Sequence, residues 1–186
     1  EVHSVAIHDE GGRALPSGKA GEIVKRSPTV MKGYYKNPEA SAKALKDGWL
    51  YTGDLGYLDP DGYLYFVDRV KDMVRRGEEN ISSEEVERVL NSHPQVAESA
   101  VIAVPDPIRG EEVKAYIVLK SPATPESVPP ENIWEFCKLQ LSTYKLPRYL
   151  EYRDELPKTP SSKVQKNILR DESKQGSTKV FDRLEA

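Results

Sequence analysis

The stretch Ser82-Ser83-Glu84-Glu85-Val86-Glu87-Arg88-Val89-Leu90-Asn91-Ser92-His93-Pro94 decides how the second half of the chain folds. Ser82 and Glu85 have the S-x-x-E spacing of a capping box, in which the serine hydroxyl accepts a backbone N–H that the first helical turn leaves unpaired. Val86, Val89, Leu90 and His93 then recur at helical spacing, and Pro94 stops the run, so an amphipathic helix is expected. Downstream, Ala100–Val104 and Val113–Leu119 are β-rich runs flanking the turn residues Pro105-Asp106-Pro107 and Gly110, which reads as two neighbouring strands. Pro129-Pro130 opens a second helix whose buried face carries Ile133, Trp134, Phe136, Cys137 and Leu141. A third strand at Arg148–Tyr152, a loop over Leu156–Ser162 and a helical turn beginning near Val164 complete the pattern. This order predicts a small α+β domain over residues 70–170, a short three-stranded sheet flanked by helices.

Upstream the texture changes. Short apolar stretches at Ser4–His8, Glu22–Lys25 and Tyr63–Val67 are separated by Glu10-Gly11-Gly12, Asp59-Pro60-Asp61-Gly62 and similar turn formers, which predicts a β-rich region over residues 1–69. A short helix is expected at Glu39–Leu45, introduced by Asn37-Pro38. Because Glu1–Ile7 already alternates as a strand, the chain is expected to be a piece of something longer. Ser121–Pro130 reads as a surface connection, and residues 171–186, with the polar run Glu172–Lys179, as a polar tail.

With 38% hydrophobic residues among 186, the chain has enough apolar material for a core. A net charge of -3, from 27 basic and 30 acidic residues, supplies no field that would favour nucleic acid or an anionic membrane. The single cysteine, Cys137, has no internal disulfide partner, which suits a reducing compartment. No apolar run approaches the roughly 20 residues of a membrane span, and no signal pattern leads the chain, so a cytoplasmic location is expected. His3, His8 and His93 lack metal-ligand spacing, and no metal site is expected in these residues.

Four further stretches carry chemical interest: Gly48-Trp49-Leu50-Tyr51-Thr52-Gly53-Asp54-Leu55-Gly56, Asp68-Arg69-Val70-Lys71-Asp72, Gly77-Glu78-Glu79-Asn80-Ile81-Ser82-Ser83-Glu84-Glu85-Val86-Glu87, and Pro157-Lys158-Thr159-Pro160-Ser161-Ser162-Lys163-Val164-Gln165-Lys166. In order and spacing they are similar to the C-terminal motifs of the adenylate-forming acyl-CoA ligases, and Gly21-Glu22-Ile23 with Met31-Lys32-Gly33-Tyr34-Tyr35 resembles the motif that precedes them. The wording is nearest to fatty acid and carnitine or crotonobetaine CoA ligases. The resemblance implies that residues 1–69 end a large nucleotide- and acyl-binding domain and that residues 70–170 are a mobile lid. It also implies use of ATP, CoA and Mg2+ on a small carboxylic acid. The phosphate loop, the magnesium-holding glutamate and the acyl pocket would lie upstream, so the chain alone is expected to be inert.

The resemblance assigns roles residue by residue. Asp54 would hold the ribose hydroxyls, although its predicted turn equally suits an Asx cap. Arg69 offers a planar fork for nucleotide oxygens; the alternative is a salt bridge to Asp68 or Asp72. Lys71 would be the hinge, or merely an exposed linker lysine. Gly77, Glu79 and Asn80 would line the approach of the CoA arm, with Glu78 standing where the family usually has a second glycine. Lys163 is the catalytic candidate, since a cation stabilises charge developing on phosphate oxygens during adenylation. Ser162 replaces the glycine that usually precedes it, and serine reaches positive φ reluctantly. Arg75-Arg76 with Lys71 forms a basic patch that suits either CoA phosphates or solvent, and Cys137 reads as core. A peptide-synthetase adenylation domain that hands its acyl group to a carrier protein, and a non-catalytic module of the same fold, are the rival readings.

Overall fold

The computed structural model describes residues 3–176 and 180–185, so the strand reading at Glu1 and Val2 and part of the polar run to Lys179 lie outside the described residues. The chain divides into two compact units, Glu1–Lys71 and Asp72–Ala186.

The first unit is an antiparallel sheet of β1 (Ser4–His8), β2 (Gly21–Arg26), β3 (Leu45–Lys46), β4 (Trp49–Leu58) and β5 (Leu64–Arg69), with helix α1 (Pro38–Ala44) between β2 and β3. β4 pairs with β2, β3 and β5. Asn37 caps α1 by accepting the Ala40 N–H, and Pro38 occupies the first helical turn, where its missing N–H costs nothing. Asp59 closes the β4–β5 turn by accepting the N–H groups of Asp61 and Tyr63. The glycines flanking Asp54 predict a turn there, whereas Asp54 is part of a ten-residue strand. Gly56 explains the difference: a Cβ there would lie 2.5 Å from the Tyr65 carbonyl oxygen, so the glycine serves a close approach of strands rather than a reversal.

The second unit contains β6 (Val74–Arg76), β7 (Glu79–Ile81), α2 (Ser83–Asn91), β8 (Val96–Asp106), β9 (Gly110–Leu119), α3 (Pro130–Lys138), β10 (Tyr149–Tyr152), α4 (Lys166–Lys174) and β11 (Val180–Asp182). The expected three strands are present as β8, β9 and β10; β8 forms a long antiparallel hairpin with β9, and β10 lies parallel to β9. The β6–β7 hairpin and β11 enlarge the sheet to six strands. Residues 171–186, expected as a tail, carry the end of α4 and β11, which pairs with β10. Arg148 secures that addition by donating to both oxygens of Asp182 and to Asp106.

Side chains alternate across β8 and β9. Val101, Val113, Ala115 and Ile117 face α2 and α3, joining Val86, Leu90, Ile133, Trp134 and Cys137 in one core. Ala100, Ile102, Val104, Tyr116 and Val118 face the opposite way and pack in a second core with Leu156 of the preceding loop and Leu169 of α4. Burial on both faces is why these strands read as nearly continuous apolar runs. Ser82 caps α2 through the Glu85 N–H as its spacing predicted. At the start of this unit Asp72 is buried and ion-paired with Arg170 of α4. Among the described residues, no helix is long and apolar enough to cross a membrane.

Candidate active site

Asp54 and Arg69 face each other across β4 and β5. Arg69 Nε donates to Asp54 Oδ1 at 3.1 Å, and the two side chains remain 50% and 36% exposed. This partner is neither Asp68 nor Asp72. Among the described residues no other side-chain contact engages either group, which leaves the second carboxylate oxygen and the terminal nitrogens of the guanidinium fork facing outward. One acceptor and a fork of donors on a shared edge suit ribose hydroxyls and phosphate oxygens.

The backbone beneath Asp54 is tightly held. Gly53 takes φ 75°, its N–H donates to Glu22 Oε1 at 2.9 Å, and its carbonyl accepts the Val70 N–H at 2.9 Å. Thr52 donates to the Ile23 carbonyl and accepts the Asp54 N–H. The glycine is required here by its backbone angle and not by space, since a Cβ at Gly53 would meet nothing within 4 Å. Glu22 and Thr52 therefore position the carboxylate; they stand in the quoted motifs, but spacing alone gave no signal that they reach Gly53 and Asp54.

Lys71 is exposed in the turn Val70–Asp72, and the division between the two units falls immediately after it. Gly77 and Glu78 form the tip of the β6–β7 hairpin, with Arg76 paired to Glu79 and Arg75 to Asn80. Gly77 has φ 63° while Glu78 does not take positive φ, the arrangement of a type II′ turn, which needs glycine at its first central position only. Replacement of a second glycine by Glu78 is thus compatible with the hairpin, and it leaves an exposed carboxylate at the tip. Glu79 and Asn80 belong to β7 and are also exposed. Behind the tip, Arg76 pairs with the buried Glu112 at 2.8 Å, which removes it from a purely solvated patch.

Lys163 sits on a closed loop. Pro157–Gln165 is tied by Thr159 N–H to the Lys163 carbonyl at 2.8 Å, Ser162 N–H to the Thr159 carbonyl at 2.9 Å, and Gln165 N–H to the Pro157 carbonyl at 2.8 Å. Thr159 Oγ1 also accepts the Lys163 N–H, and Gln165 Nε2 donates to the Lys158 carbonyl. Ser162 takes φ 62°, so the left-handed turn for which glycine is suited is made here by serine. Lysines on either side are engaged: Lys158 with Glu98 at 2.7 Å, Lys166 with Glu87 at 2.7 Å. Lys163 is exposed, and among the described residues its ammonium has no ion-pair or hydrogen-bond partner.

The first unit thus brings Asp54 and Arg69 together, while Gly77, Glu79, Asn80 and Lys163 belong to the second. Cys137 is buried in the core as expected, and burial pushes its thiol up to about 12. Among the described residues no group of three His, Cys, Asp or Glu side chains is placed to hold a metal.

Residues 85–163 match the AMP-binding enzyme C-terminal domain. A crotonobetaine/carnitine–CoA ligase of Citrobacter koseri is 44% identical over 168 residues, covering 88% of this chain and 32% of that protein. The crystal structure of ATP-bound MatB from Rhodopseudomonas palustris superposes with a TM-score of 0.84 at 37% identity, over 92% of this chain and 34% of that one. The amide bond synthetase McbA from Marinactinospora thermotolerans superposes with a TM-score of 0.79 at 40% identity, over 91% of this chain and 34% of that one. The chain spans about a third of the length of the relatives it matches. Motif order, the two-unit fold and these likenesses agree: residues 85–163 match the AMP-binding enzyme C-terminal domain, and over most of its length the chain is similar to about a third of the length of adenylate-forming enzymes that include acyl-CoA ligases.

Proposed function

We propose that this chain works as the nucleotide-closing part of an ATP-dependent acid–CoA ligase. In the first half-reaction a carboxylate oxygen attacks the α-phosphorus of ATP, the bond to the bridging oxygen breaks, and pyrophosphate leaves. In the second, the CoA thiol attacks the acyl carbon, loses its proton, and AMP leaves with the bonding pair. Mg2+, held by residues outside this chain, would neutralise phosphate charge in the first step. Asp54 would accept the ribose hydroxyls and Arg69 would donate to nucleotide oxygens. Lys163 would stabilise the charge that develops on the phosphate oxygens. Lys71 would be the pivot between half-reactions, and the Gly77–Asn80 hairpin would border the path of the CoA arm. Without the rest of the enzyme the chain would be inactive.

The observation that supports this most is the free ammonium of Lys163, held out by a hydrogen-bonded loop while its neighbours Lys158 and Lys166 are neutralised by carboxylates. Lys163→Ala in the full-length protein is expected to abolish acid-dependent pyrophosphate exchange and to spare thioester formation from supplied acyl-adenylate. Equal loss of both half-reactions would defeat the assignment. A second reading, transfer to an acceptor other than CoA, is favoured by the exposed Glu78 carboxylate at the hairpin tip, which would repel the phosphates of CoA. Product formation with CoA, a pantetheine-loaded carrier and simple amines, each offered to the same adenylate, separates the two.

A further inference from the structure

Helix α4 begins against electrostatic expectation. Its first residue is Lys166, a cation at the end of the helix that favours anions, and Gln165 at the cap position makes no side-chain capping bond. The lysine is held there from outside the helix. Its ammonium lies 2.7 Å from Glu87 Oε1 and donates to Ser83 Oγ at 2.9 Å, both on α2. Only 15% of the Lys166 side chain and 18% of the Glu87 side chain are exposed, so solvent screens this pair far less than the surface pairs of the chain. Glu87 Oε1 also accepts the Val101 N–H at 2.6 Å, which fixes the carboxylate against β8. Three elements therefore meet at one ion pair: α2, β8 and the start of α4.

The location gives the pair its meaning. Lys166 follows the loop that carries Lys163, so its tether fixes where that loop leaves off. Ser83 opens α2 just after β7, the second strand of the Gly77–Glu78 hairpin, so the other side of the tether fixes the base of that hairpin. The loop's other ion pair, Lys158 to Glu98, is more exposed and correspondingly weaker, and Val164 adds an apolar contact with the second core. We propose that Glu87 and Lys166 are positioning residues that hold the Lys163 loop where adenylate formation requires it, an inference that rests on the role of Lys163 given above.

The test uses the full-length enzyme. Lys166→Met is expected to lower the kcat of pyrophosphate exchange roughly 10- to 100-fold, the scale of a small misplacement of a catalytic group, with the KM for ATP changed less than about twofold. Thioester formation from supplied acyl-adenylate should fall much less, Lys166→Arg should recover most of the exchange, and Glu87→Gln combined with Lys166→Met should be no worse than the weaker single variant. A folded Lys166→Met enzyme that exchanges within about threefold of the parent, or that loses both half-reactions equally, overturns the proposal. Should Lys166→Met fail to fold, Ser83→Ala removes one of the two lysine contacts, and unchanged exchange in that variant overturns it equally. Lys163→Ala run alongside separates the two levels of inference: if it exchanges normally, the role of Lys163 itself is wrong; if it is inactive while Lys166→Met is normal, only the tether is wrong.

Discussion

Ser162 is where backbone geometry should be most visible in activity. At φ 62° it occupies the left-handed region, which is unfavourable for a residue with a Cβ by roughly 1–2 kcal/mol relative to glycine. Its N–H also closes the turn on the Thr159 carbonyl at 2.9 Å, a bond contributing about 1 kcal/mol. Ser162→Pro removes that donor and forces φ to about −65°, so the closed loop becomes less favourable by roughly 2–4 kcal/mol. At 1.4 kcal/mol per decade the fraction of molecules presenting Lys163 should fall roughly 30- to 700-fold, and acid-dependent pyrophosphate exchange in the full-length protein should fall with it. Ser162→Gly relaxes the same position and should leave exchange within about fivefold of the parent, since the strain removed is offset by added freedom in the open loop. Thioester formation from supplied acyl-adenylate should be nearly unchanged in both. Full exchange in a folded Ser162→Pro enzyme would refute the idea that this turn presents the lysine.

Further outcomes follow from the second unit. His93 accepts the Gln95 N–H through Nδ1 and packs edge-on against Phe136, and burial, aided by the charge of Lys120, holds its imidazole below the ordinary value of 6.5. The unfolded chain then takes up the proton more readily than the native one. This contribution is complete above about pH 6.5 and is lost as pH falls through the native pKa, so urea midpoints should drop between about pH 7 and pH 5, and His93→Gln should flatten the drop. Cys137, pushed up to about 12 by burial, should resist a thiol reagent near neutral pH until the protein unfolds; immediate labelling of native protein would contradict its placement. Leu150 of β10 is fully buried in the core shared with α2 and α3, and Leu150→Ala should cost about 2–5 kcal/mol in a denaturant titration, with a value under 1 kcal/mol arguing against this core.

What the sequence disclosed depended on whether a residue's partner was close in the chain. The Ser82 cap, the α2 apolar face and the two-sided burial of β8 and β9 are periodic or local, and all were legible. β4 was not, because Gly53, Asp54 and Gly56 have turn composition and only the packing of Gly56 beneath Tyr65 reveals a strand. The β6–β7 hairpin escaped notice because Arg75, Arg76, Glu79 and Asn80 are polar and pair at one side of the sheet. β11 is defined by Arg148 reaching Asp182, a contact with no local signature: burial pushes that carboxyl up, and the Arg148 hydrogen bonds, the Leu184 N–H and the charges of Arg148 and Arg183 together hold it below its ordinary value. Candidate site residues were found through ordered motifs, while their supports, Glu22 beneath Gly53 and Thr159 beneath Lys163, required coordinates.

The buried pairing of Asp72 with Arg170 has a mechanical consequence. The first residue after the boundary between units is clamped to the helix that carries on from the lysine loop, so there is no slack between them. A displacement of the backbone at Asp72 would therefore be handed directly to α4, and from its first turn to the loop that precedes it, instead of dissipating in loose chain.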